Sequence, residues 1–364
     1  MYFRYMPDQS FSFQQAAWKK LKQHKSAMAG LYIILLAILV AIFAYWLAPD
    51  HSPNANRMMV EIGGKHPGYK QQFLAIKKTE MPEKAGVLKR TIAGETDMFQ
   101  YIPINGFAQK GDSLVVDQYL DEGIFERKAF LLSGDQYHIE TKKFWLGTDK
   151  YGRDIFSRLI IGTRVSLSVG LIAVIISVLI GILLGSIAGY FRGTTDDIIM
   201  WFINVVWSIP TLLLVFAITM ALGKGFWQVF IAVGLTLWVS VARIIRGQVM
   251  GIRELEYIEA TRALGFSHAR TLFRHILPNV LGPVMVIAAS NFASAIVMEA
   301  GLSFLGVGVQ SPQPSWGLMI KENYNFIITH NPMLAIIPGL AIMVLVLAFN
   351  ILGNGLRDAM DVRR

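Results

Sequence analysis

The chain has 364 residues, of which 54% are hydrophobic and only 16% are charged. Soluble domains usually carry about a quarter charged residues, so this composition argues against an ordinary soluble enzyme. The 22 Phe, 12 Tyr and 8 Trp argue against a disordered chain, and the absence of Cys excludes disulfides and thiol chemistry. A net charge of +9 fits either nucleic acid or a membrane surface as partner, so the positions of the charges have to decide.

The chain starts with a basic, amphipathic leader, residues 1–26, in which Trp18 and Leu21 lie among lysines. This pattern is typical of a helix on a membrane surface, although contact with a partner protein is the alternative. The uncharged run Ala27–Ala48 is long enough, at about 1.5 Å per residue, to cross the roughly 30 Å hydrocarbon core of a bilayer. Because no small-residue cleavage site follows it, we expect a retained transmembrane helix at 27–48 rather than a signal peptide.

Residues 49–143 change composition sharply, with mixed charge, glycine pairs and short apolar clusters. Weak alternation predicts short strands over Phe99–Ile104 and Asp112–Tyr119. Because the segment is rich in aromatic residues, we expect a small α+β or mostly β insert, outside the membrane on its extracytoplasmic side. A long disordered loop is the alternative.

Five further apolar runs follow within residues 144–364, and each is long enough for a membrane-spanning helix. We therefore predict an all-α polytopic membrane protein with six transmembrane helices. Gly181, Gly185 and Gly189 share one face of the second helix, which indicates close packing or, alternatively, a seam that slides in a conformational switch. Pro210 predicts a kink in the third helix. The five runs are Val165–Tyr190, Ile198–Leu222, Phe226–Ile245, Val280–Phe304 and Leu334–Leu352.

Lysine and arginine in the short loops predict the orientation. If both termini are cytoplasmic, the inner segments hold 15 of the 34 basic residues and the short outer loops hold two. The other 17 lie in the long stretch 49–164, where 15 acidic residues nearly balance them. Cytoplasmic termini are therefore favoured, and the basic excess follows the inner membrane face rather than a nucleic-acid surface.

The familiar catalytic motifs are absent from the sequence, which has no GxxxxGK[ST] phosphate loop, HExxH zinc pair, GxSxG or GxGxxG. His268 and His275 lie seven residues apart, and solvated or packed histidines explain them better than a metal pair. We predict a non-enzymatic chain that binds no metal and no cofactor itself.

The loop of residues 246–278, between the fourth and fifth predicted spans, is the most informative segment. We expect a short helix from Arg253 to Leu264, a bend at Gly265, and a second helix that stops at His275 before Pro278. Apolar residues beside charged ones are typical of a helix that docks into a groove of a partner. An amphipathic helix on the bilayer surface is the alternative.

The segment from Glu259 to Pro278 resembles the EAA loop of ABC importer permeases, with a Glu-Ala start, a glycine six positions after the glutamate, and Leu-Pro at positions 19 and 20. Thr261 stands where a second alanine is usual, and we expect it to add a hydroxyl to the docking face. The matching residues are Glu259, Ala260, Gly265, Leu277 and Pro278.

Further motifs resemble the second, C-type, permease of the dipeptide/oligopeptide/nickel importers. They lie at 146–158, 243–248, 273–279, 299–306, 314–317 and 350–358, and the resemblance, with the first apolar segment, covers about two thirds of the chain. The insert 49–143 is a departure, since typical members have a much shorter outer segment.

The resemblance implies a bacterial plasma-membrane importer for dipeptides, oligopeptides or related small solutes. In it, this permease pairs with a sister permease, two ATPase subunits that bind ATP and Mg, and an outer substrate-binding protein. The loop 246–278 would sit in an ATPase cleft and couple it to the membrane helices, with Glu259 and Gly265 at the contact. The alternatives are a membrane-anchored docking or sensing module acting through residues 49–143, and an ion channel, for which no filter-like string is found.

Four ionisable residues near the predicted outer ends of the spans are candidates for the pathway or its gate. Glu299 lies in the fifth span, where an acidic residue at the helix centre costs roughly 2.5–3.5 kcal/mol. It could face the pathway, but we expect it to pair with a neighbouring subunit or with the segment 152–158. Arg153, Asp154 and Arg158 are expected to form a packed outer gate element rather than to bind cargo.

Overall fold

The computed structural model describes residues 13–79, 86–110, 113–132, 135–223, 225–329 and 331–360. Within these ranges the chain forms a bundle of long apolar helices and one five-stranded antiparallel sheet. Five helices are long and apolar enough to cross a membrane, and a bent helix pair makes a sixth crossing if it is one span. The predicted helical polytopic architecture is confirmed.

The N-terminal part of the bundle consists of α1 (Phe13–Gln23), α2 (Lys25–Ile42) and the short α3 (Ala44–Leu47). The first twelve residues of the predicted leader lie outside the described ranges. Leu21 is buried against Ala27 and Ala359, so it contacts the end of the last helix instead of lipid. Only part of the apolar side of the leader is therefore available to a membrane surface.

The sheet lies between α3 and the next long helix, with strand order β4-β3-β2-β1-β5. It contains both predicted strands, apart from Asp112, which is outside the described residues, and it buries Phe73, Leu74 and Ile104 in its core. The segment is thus folded, while its side of the membrane stays a prediction. Its elements are β1 (Tyr69–Lys77), helix α4 (Val87–Ala93), β2 (Phe99–Lys110), β3 (Ser113–Asp121), β4 (Ile124–Leu131) and β5 (Tyr137–Phe144).

The second long helix, α5 (Ile155–Phe191), begins ten residues before the predicted Val165. Its N-terminus is fixed by Asp154, whose carboxylate accepts the backbone N–H of Ser157 at 3.0 Å. With 37 residues, α5 is about 55 Å long and exceeds the thickness of the hydrocarbon core. Polar residues of its first turns therefore lie beyond the hydrocarbon, where apolar patterning alone does not reveal a helix.

Helix α5 packs along α8 (Phe226–Arg253), and the two run parallel. A Cβ at Gly181 would collide with Val241, at Gly185 with the backbone of Ala242, and at Gly189 with the carbonyl oxygen of Arg246. The glycine stripe thus allows the two helices to approach closely. Because parallel neighbours need a return connection, the chain between them has to travel back along the bundle.

That connection is the bent pair α6 (Gly193–Ser208) and α7 (Thr211–Leu222), whose axes differ by 92°. Ile209 and Pro210 separate them, both with extended backbone, as expected for a proline and the residue before it. The kink predicted at Pro210 is therefore a full break of the helix.

The C-terminal part begins with α9 (Glu256–Ala263) and α10 (His268–Arg270), and continues through a π-helical turn, Thr271–Ile276, into α11 (Leu277–Leu305). The expectation that a helix stops before Pro278 is wrong, because the helical path runs unbroken from 268 to 305. Pro278 occupies the first turn of α11, where proline fits well. The remaining helices are α12 (Trp316–Asn323), α13 (Phe326–Thr329) and α14 (Met333–Met360).

Candidate functional site

Helix α9 presents one face to solvent at the end of the bundle that carries the C-terminus of α8. Glu259 and Ala260 are exposed, as are the apolar side chains of Tyr257 and Leu264. Within the described ranges, the Glu259 carboxylate has no side-chain hydrogen bond or ion pair. An exposed acidic group beside exposed apolar side chains is suited to docking on another protein.

The opposite face of α9 is anchored in the bundle. Ile258 is fully buried in an apolar cluster that includes Tyr190 of α5, Val249 of α8 and Ile276 of the π-helical turn. Thr261 is also buried, and its hydroxyl donates to the carbonyl of Ile258 at 2.7 Å and lies 3.3 Å from the hydroxyl of Thr271. The expectation that Thr261 adds a hydroxyl to the exposed face is wrong, because this hydroxyl ties α9 to the next helix.

Gly265 ends α9 with a left-handed residue at φ +73°. The N–H of Gly265 donates to the carbonyl of Arg262 at 2.9 Å, and the N–H of Phe266 reaches the carbonyl of Thr261 at 3.0 Å. A residue with positive φ at this place is the usual way to close a helix, and glycine adopts that conformation without strain. The positive φ of Gly265 therefore produces the bend that the sequence predicts at this position.

The Leu-Pro end of the predicted loop lies next to the first turn of α9. The side-chain amide of Asn279 donates to the hydroxyl of Tyr257 at 3.3 Å. Leu277, which is half-buried, and Pro278, which is exposed, immediately precede Asn279. The structure therefore brings the two ends of the segment from Glu259 to Pro278 together in one surface.

Ion pairs and hydrogen bonds hold α5, α6 and α8 together beside α9. Arg246 binds Asp196 through two contacts of 2.5 Å, which joins α8 to α6. The hydroxyl of Tyr190 is hydrogen-bonded to Nδ1 of His268 at 2.9 Å, so α5 is joined to α10. His268 is exposed, but its ring is held by Tyr190, so the helices around this loop are connected to one another.

A second cluster of charged residues lies at the other end of α5. Arg153 and Arg158 are fully buried, and both reach Glu322 of α12, at 2.6 and 3.4 Å. Arg153 also donates from Nε to Asp149 at 2.6 Å and from Nη1 to Asn56 at 3.2 Å. We name Asp149, Arg153, Arg158 and Glu322 the outer ionic cluster, after the side of the membrane predicted for it. The cluster is packed and ties the start of α5 to α12, and its role as a gate element stays a prediction.

Asp154 belongs to the cap of α5 rather than to the ion pairs. It accepts the backbone N–H and the hydroxyl of Ser157, and Ser157 in turn accepts the backbone N–H of Asp50 at 2.9 Å. Burial raises the pKa of the Asp154 carboxyl despite these hydrogen bonds, and the nearby charge of Asp50 adds to the effect. The segment before the sheet is thereby fixed to the first turn of α5.

A cavity of about 500 Å³ lies where the sheet meets the bundle, and Arg57, Asp97, Tyr101 and Asp154 are among its lining residues. Arg57 donates from Nε to Asp97 at 2.6 Å and lies 3.5 Å from Asp50. Burial alone would lower the pKa of Arg57, but the hydrogen bond to Asp97 and the charges of Asp50 and Asp97 raise it above its ordinary value. Arg57 is therefore committed to structural pairing.

Glu299 is fully buried in α11 and accepts a hydrogen bond from the hydroxyl of Ser303 at 2.6 Å. Among the described residues it forms no ion pair with the segment 152–158, and the alternative pairing with a neighbouring subunit stays a prediction. That segment binds Glu322 instead. The one signal in the sequence that could have selected Glu322 is its position a few residues after the Pro314–Gly317 motif. Neither Glu299 nor Pro210 lies in the outer ionic cluster.

Two family models match the chain. The model described as "binding-protein-dependent transport system inner membrane component" matches residues 181–364, and the model for the N-terminal TM domain of oligopeptide transport permease C matches residues 12–60. All five strands of the sheet lie between the two matched ranges. That the insert is longer than the outer segment of typical family members stays a prediction.

Several curated relatives are similar over most of their length. The glutathione transport system permease protein GsiD of Pectobacterium atrosepticum is 43% identical over 217 residues, which are 60% of this chain and 72% of the relative. The oligopeptide transport system permease protein OppC of Bacillus subtilis is 40% identical, over 61% of this chain and 72% of the relative. GsiD of Escherichia coli O6:K15:H31 is 32% identical over 98% of this chain and 92% of the relative.

Among solved structures, the inward-facing MetNI methionine ABC transporter is similar at 18% identity and a TM-score of 0.45, over 58% of this chain and 98% of that one. The family match over half of the chain and the identity to full-length permeases decide the assignment. The chain belongs to the family of binding-protein-dependent transport system inner membrane components, the permease subunits of ABC importers.

Proposed function

We propose that this chain is the membrane-spanning permease subunit of an ATP-driven importer for dipeptides, oligopeptides or related small solutes such as glutathione. The names of its relatives, which are permeases of oligopeptide, dipeptide and glutathione transport systems, support this substrate range. The alternative of a docking module within residues 49–143 is less favoured, because the similarity to permeases lies mainly in the helical part of the chain.

The arrangement of the helix ends supports six crossings with both termini in the cytoplasm. Leu21 of α1 packs on Ala359 near the end of α14, so the first span starts where the last one ends. An even number of crossings follows, in which the bent pair α6–α7 is one span. The same end carries Arg243, Arg246 and Arg253 of α8, in agreement with cytoplasmic enrichment of arginine. The sheet then lies on the extracytoplasmic side, beside the start of α5.

The proposed assembly contains this chain, a sister permease as heterodimer partner, two ATPase subunits and an extracytoplasmic substrate-binding protein. The ATPase subunits bind ATP and Mg, and this chain contributes no nucleotide site. We assign the exposed face of α9, with Glu259 and Ala260, to the contact with an ATPase subunit. Gly265, Leu277 and Pro278 shape the turn and the helix start that support this face.

The anchoring of α9 is the observation that carries the proposed mechanism. Movement of an ATPase subunit against the exposed face displaces Ile258, which is packed between α5, α8 and the start of α11. Since side chains in a packed cluster cannot be compressed, the helices move together as rigid bodies. The close packing at the glycine stripe keeps α5 and α8 together as one unit during this movement.

Charge reversal at Glu259 tests the coupling. In the purified transporter, Glu259→Lys should abolish solute uptake while ATP hydrolysis continues, because the docking face loses its acidic group without loss of the buried anchor. Glu126→Lys on the exposed strand β4 is the matched control and should leave uptake unchanged. Normal uptake by the Glu259→Lys transporter would remove the assignment of α9.

Affinity purification from native membranes tests the assembly. We expect the full chain to bring down a second permease, two ATPase chains and a substrate-binding protein, identified by mass spectrometry. Recovery of the chain with none of these partners, under conditions that preserve membrane complexes, would refute the importer assembly.

A further inference from the structure

Helix α4, between β1 and β2, is attached to the end of the first span. The indole N–H of Trp46 in α3 donates to the hydroxyl of Thr91 at 3.1 Å. The guanidinium group of Arg90 lies 4.3 Å from the centre of the Trp46 ring. The indole is thus held between two side chains of α4, and the position of α4 relative to the first span is fixed.

Arg164 of α5 makes the attachment rigid. Its guanidinium group donates to the carbonyls of Ala41 and Ile42 at the end of α2, at 3.0 and 3.2 Å. The same group donates to the carbonyls of Thr91 and Ile92 at the end of α4, both at 2.9 Å. One cation therefore satisfies carbonyls of both helix ends, and α4 lies at the level where α2 ends.

The exposed face of α4 is apolar. Val87, Leu88 and Ile92 are 73%, 76% and 64% exposed, respectively. At 3.6 residues per turn these three positions and Thr91 share one side of the helix, whereas Lys89 lies outside this arc, about 130° from its centre. Since Thr91 contacts Trp46, this side of α4 faces the same region as the end of the first span.

The apolar face continues the surface of the first span. Along α2 and α3, Leu39, Phe43, Trp46 and Leu47 are exposed, as expected of a helix surrounded by lipid. Trp46 stands at the border between this surface and α4, and tryptophan is enriched at the boundary of membrane and water. If a bilayer surrounds the first span, Val87, Leu88 and Ile92 lie at the level of its headgroup layer.

We propose that α4 is a membrane-interface helix, which inserts Val87, Leu88 and Ile92 into the boundary between lipid headgroups and acyl chains on the side of the sheet. The partner is the bilayer itself, and the proposal requires only that α2 spans the membrane. Lys89, outside the apolar arc, stays among headgroups or in water. The insertion holds the sheet at a fixed height above the bilayer next to the first span.

The absence of Cys from the chain allows single-cysteine labelling without background. Leu88→Cys and Ile92→Cys, each labelled with an environment-sensitive fluorophore, are placed in nanodiscs in the full chain with its co-purifying subunits. Lys89→Cys, outside the apolar arc of α4, and Leu131→Cys, which is 82% exposed on β4, serve as controls. Because all four sites are exposed, the substitutions leave the packed interior unchanged.

We expect blue-shifted emission at positions 88 and 92, strong quenching by lipids that carry a nitroxide just below the headgroup, and weak quenching by a water-soluble nitroxide. The controls should show the reverse order of quenching. The same lipid quenching in nanodiscs of the chain purified without other subunits would support lipid as the partner. Equal access of all four sites to the water-soluble quencher, or protection only when other subunits are present, would overturn the proposal.

Discussion

Replacement of Glu322 by alanine should cost about 3–5 kcal/mol of folding free energy, because it removes one partner from a buried ionic cluster. Glu322 receives hydrogen bonds from Arg153 at 2.6 Å and from Arg158 at 3.4 Å, and both arginines are fully buried. Without it, Asp149 is the one carboxylate among the described residues that remains within 4 Å of the two guanidinium groups. Two buried cations would then share one anion.

The two arginines should respond differently to substitution. Each guanidinium nitrogen of Arg153 donates a hydrogen bond, whereas Nε and Nη1 of Arg158 have no hydrogen-bond partner among the described residues. Arg153→Met should therefore cost about 3–5 kcal/mol. Arg158→Met should cost clearly less, because it also removes buried donors whose unmet hydrogen bonds cost about 1–3 kcal/mol each. In the Glu322→Ala background, Arg158→Met should recover part of the loss by restoring a one-to-one charge balance.

The free energy of unfolding can be measured by steric trapping in bicelles, with labels on two introduced cysteines. Glu322→Gln is the control that keeps an acceptor of similar size without the charge, and its loss should be intermediate. Equal losses for Arg153→Met and Arg158→Met would contradict the proposed difference in their hydrogen bonding. No recovery in the double variant would contradict the view that both arginines depend on Glu322.

Three further substitutions test other parts of the structure. Ile258→Ala should lower stability by about 2–5 kcal/mol through a cavity in the apolar cluster and should weaken coupling of ATP hydrolysis to uptake, measured in proteoliposomes. Gly185→Val should cost about 1–3 kcal/mol by collision with the backbone of Ala242, whereas Gly247→Val, which has open space, should not alter the thermal unfolding midpoint. Burial raises the pKa of Asp154 above its ordinary 3.8, so the folded chain holds this proton more tightly than the unfolded chain, and stability falls as pH rises above about 4. Asp154→Asn, which keeps the helix cap, should flatten the fall in an unfolding series from pH 4 to 7.

The long apolar runs and the glycine stripe could be predicted from sequence because bilayer thickness and helix period constrain them directly. The predicted strands over Phe99–Ile104 and in the segment up to Tyr119 lie in β2 and β3, since alternation survives where one face of a sheet is buried. Local patterns thus indicated the long apolar helices and two of the five strands. They did not show where α5 begins, because Ser157, Arg158 and Arg164 interrupt the apolar residues of its first turns.

Tertiary contacts explain what the sequence did not reveal. Glu322 follows Asp149 by more than 170 positions, so nothing local indicates that the two carboxylates share a pair of arginines. Thr261 was expected on the exposed face because it stands where a second alanine is usual in the motif, but its hydroxyl is buried beside that of Thr271. A proline usually indicates the end of the preceding helix. At Pro278 the π-helical turn before it leads directly into α11, and the sequence does not reveal this turn.

Helix α5 joins the two ends of the molecule that carry the charged clusters. Its first turns hold Arg158 in the outer ionic cluster, and its last turn holds Tyr190, which contacts the loop that anchors α9. Between them the glycine stripe lets side chains and backbone of α8, among them Val241 and Ala242, pack directly on the backbone of α5. We therefore expect a displacement of α9 to reach the outer ionic cluster as a shift of a rigid pair of helices, and to be absorbed at the contact between Glu322 and the two arginines.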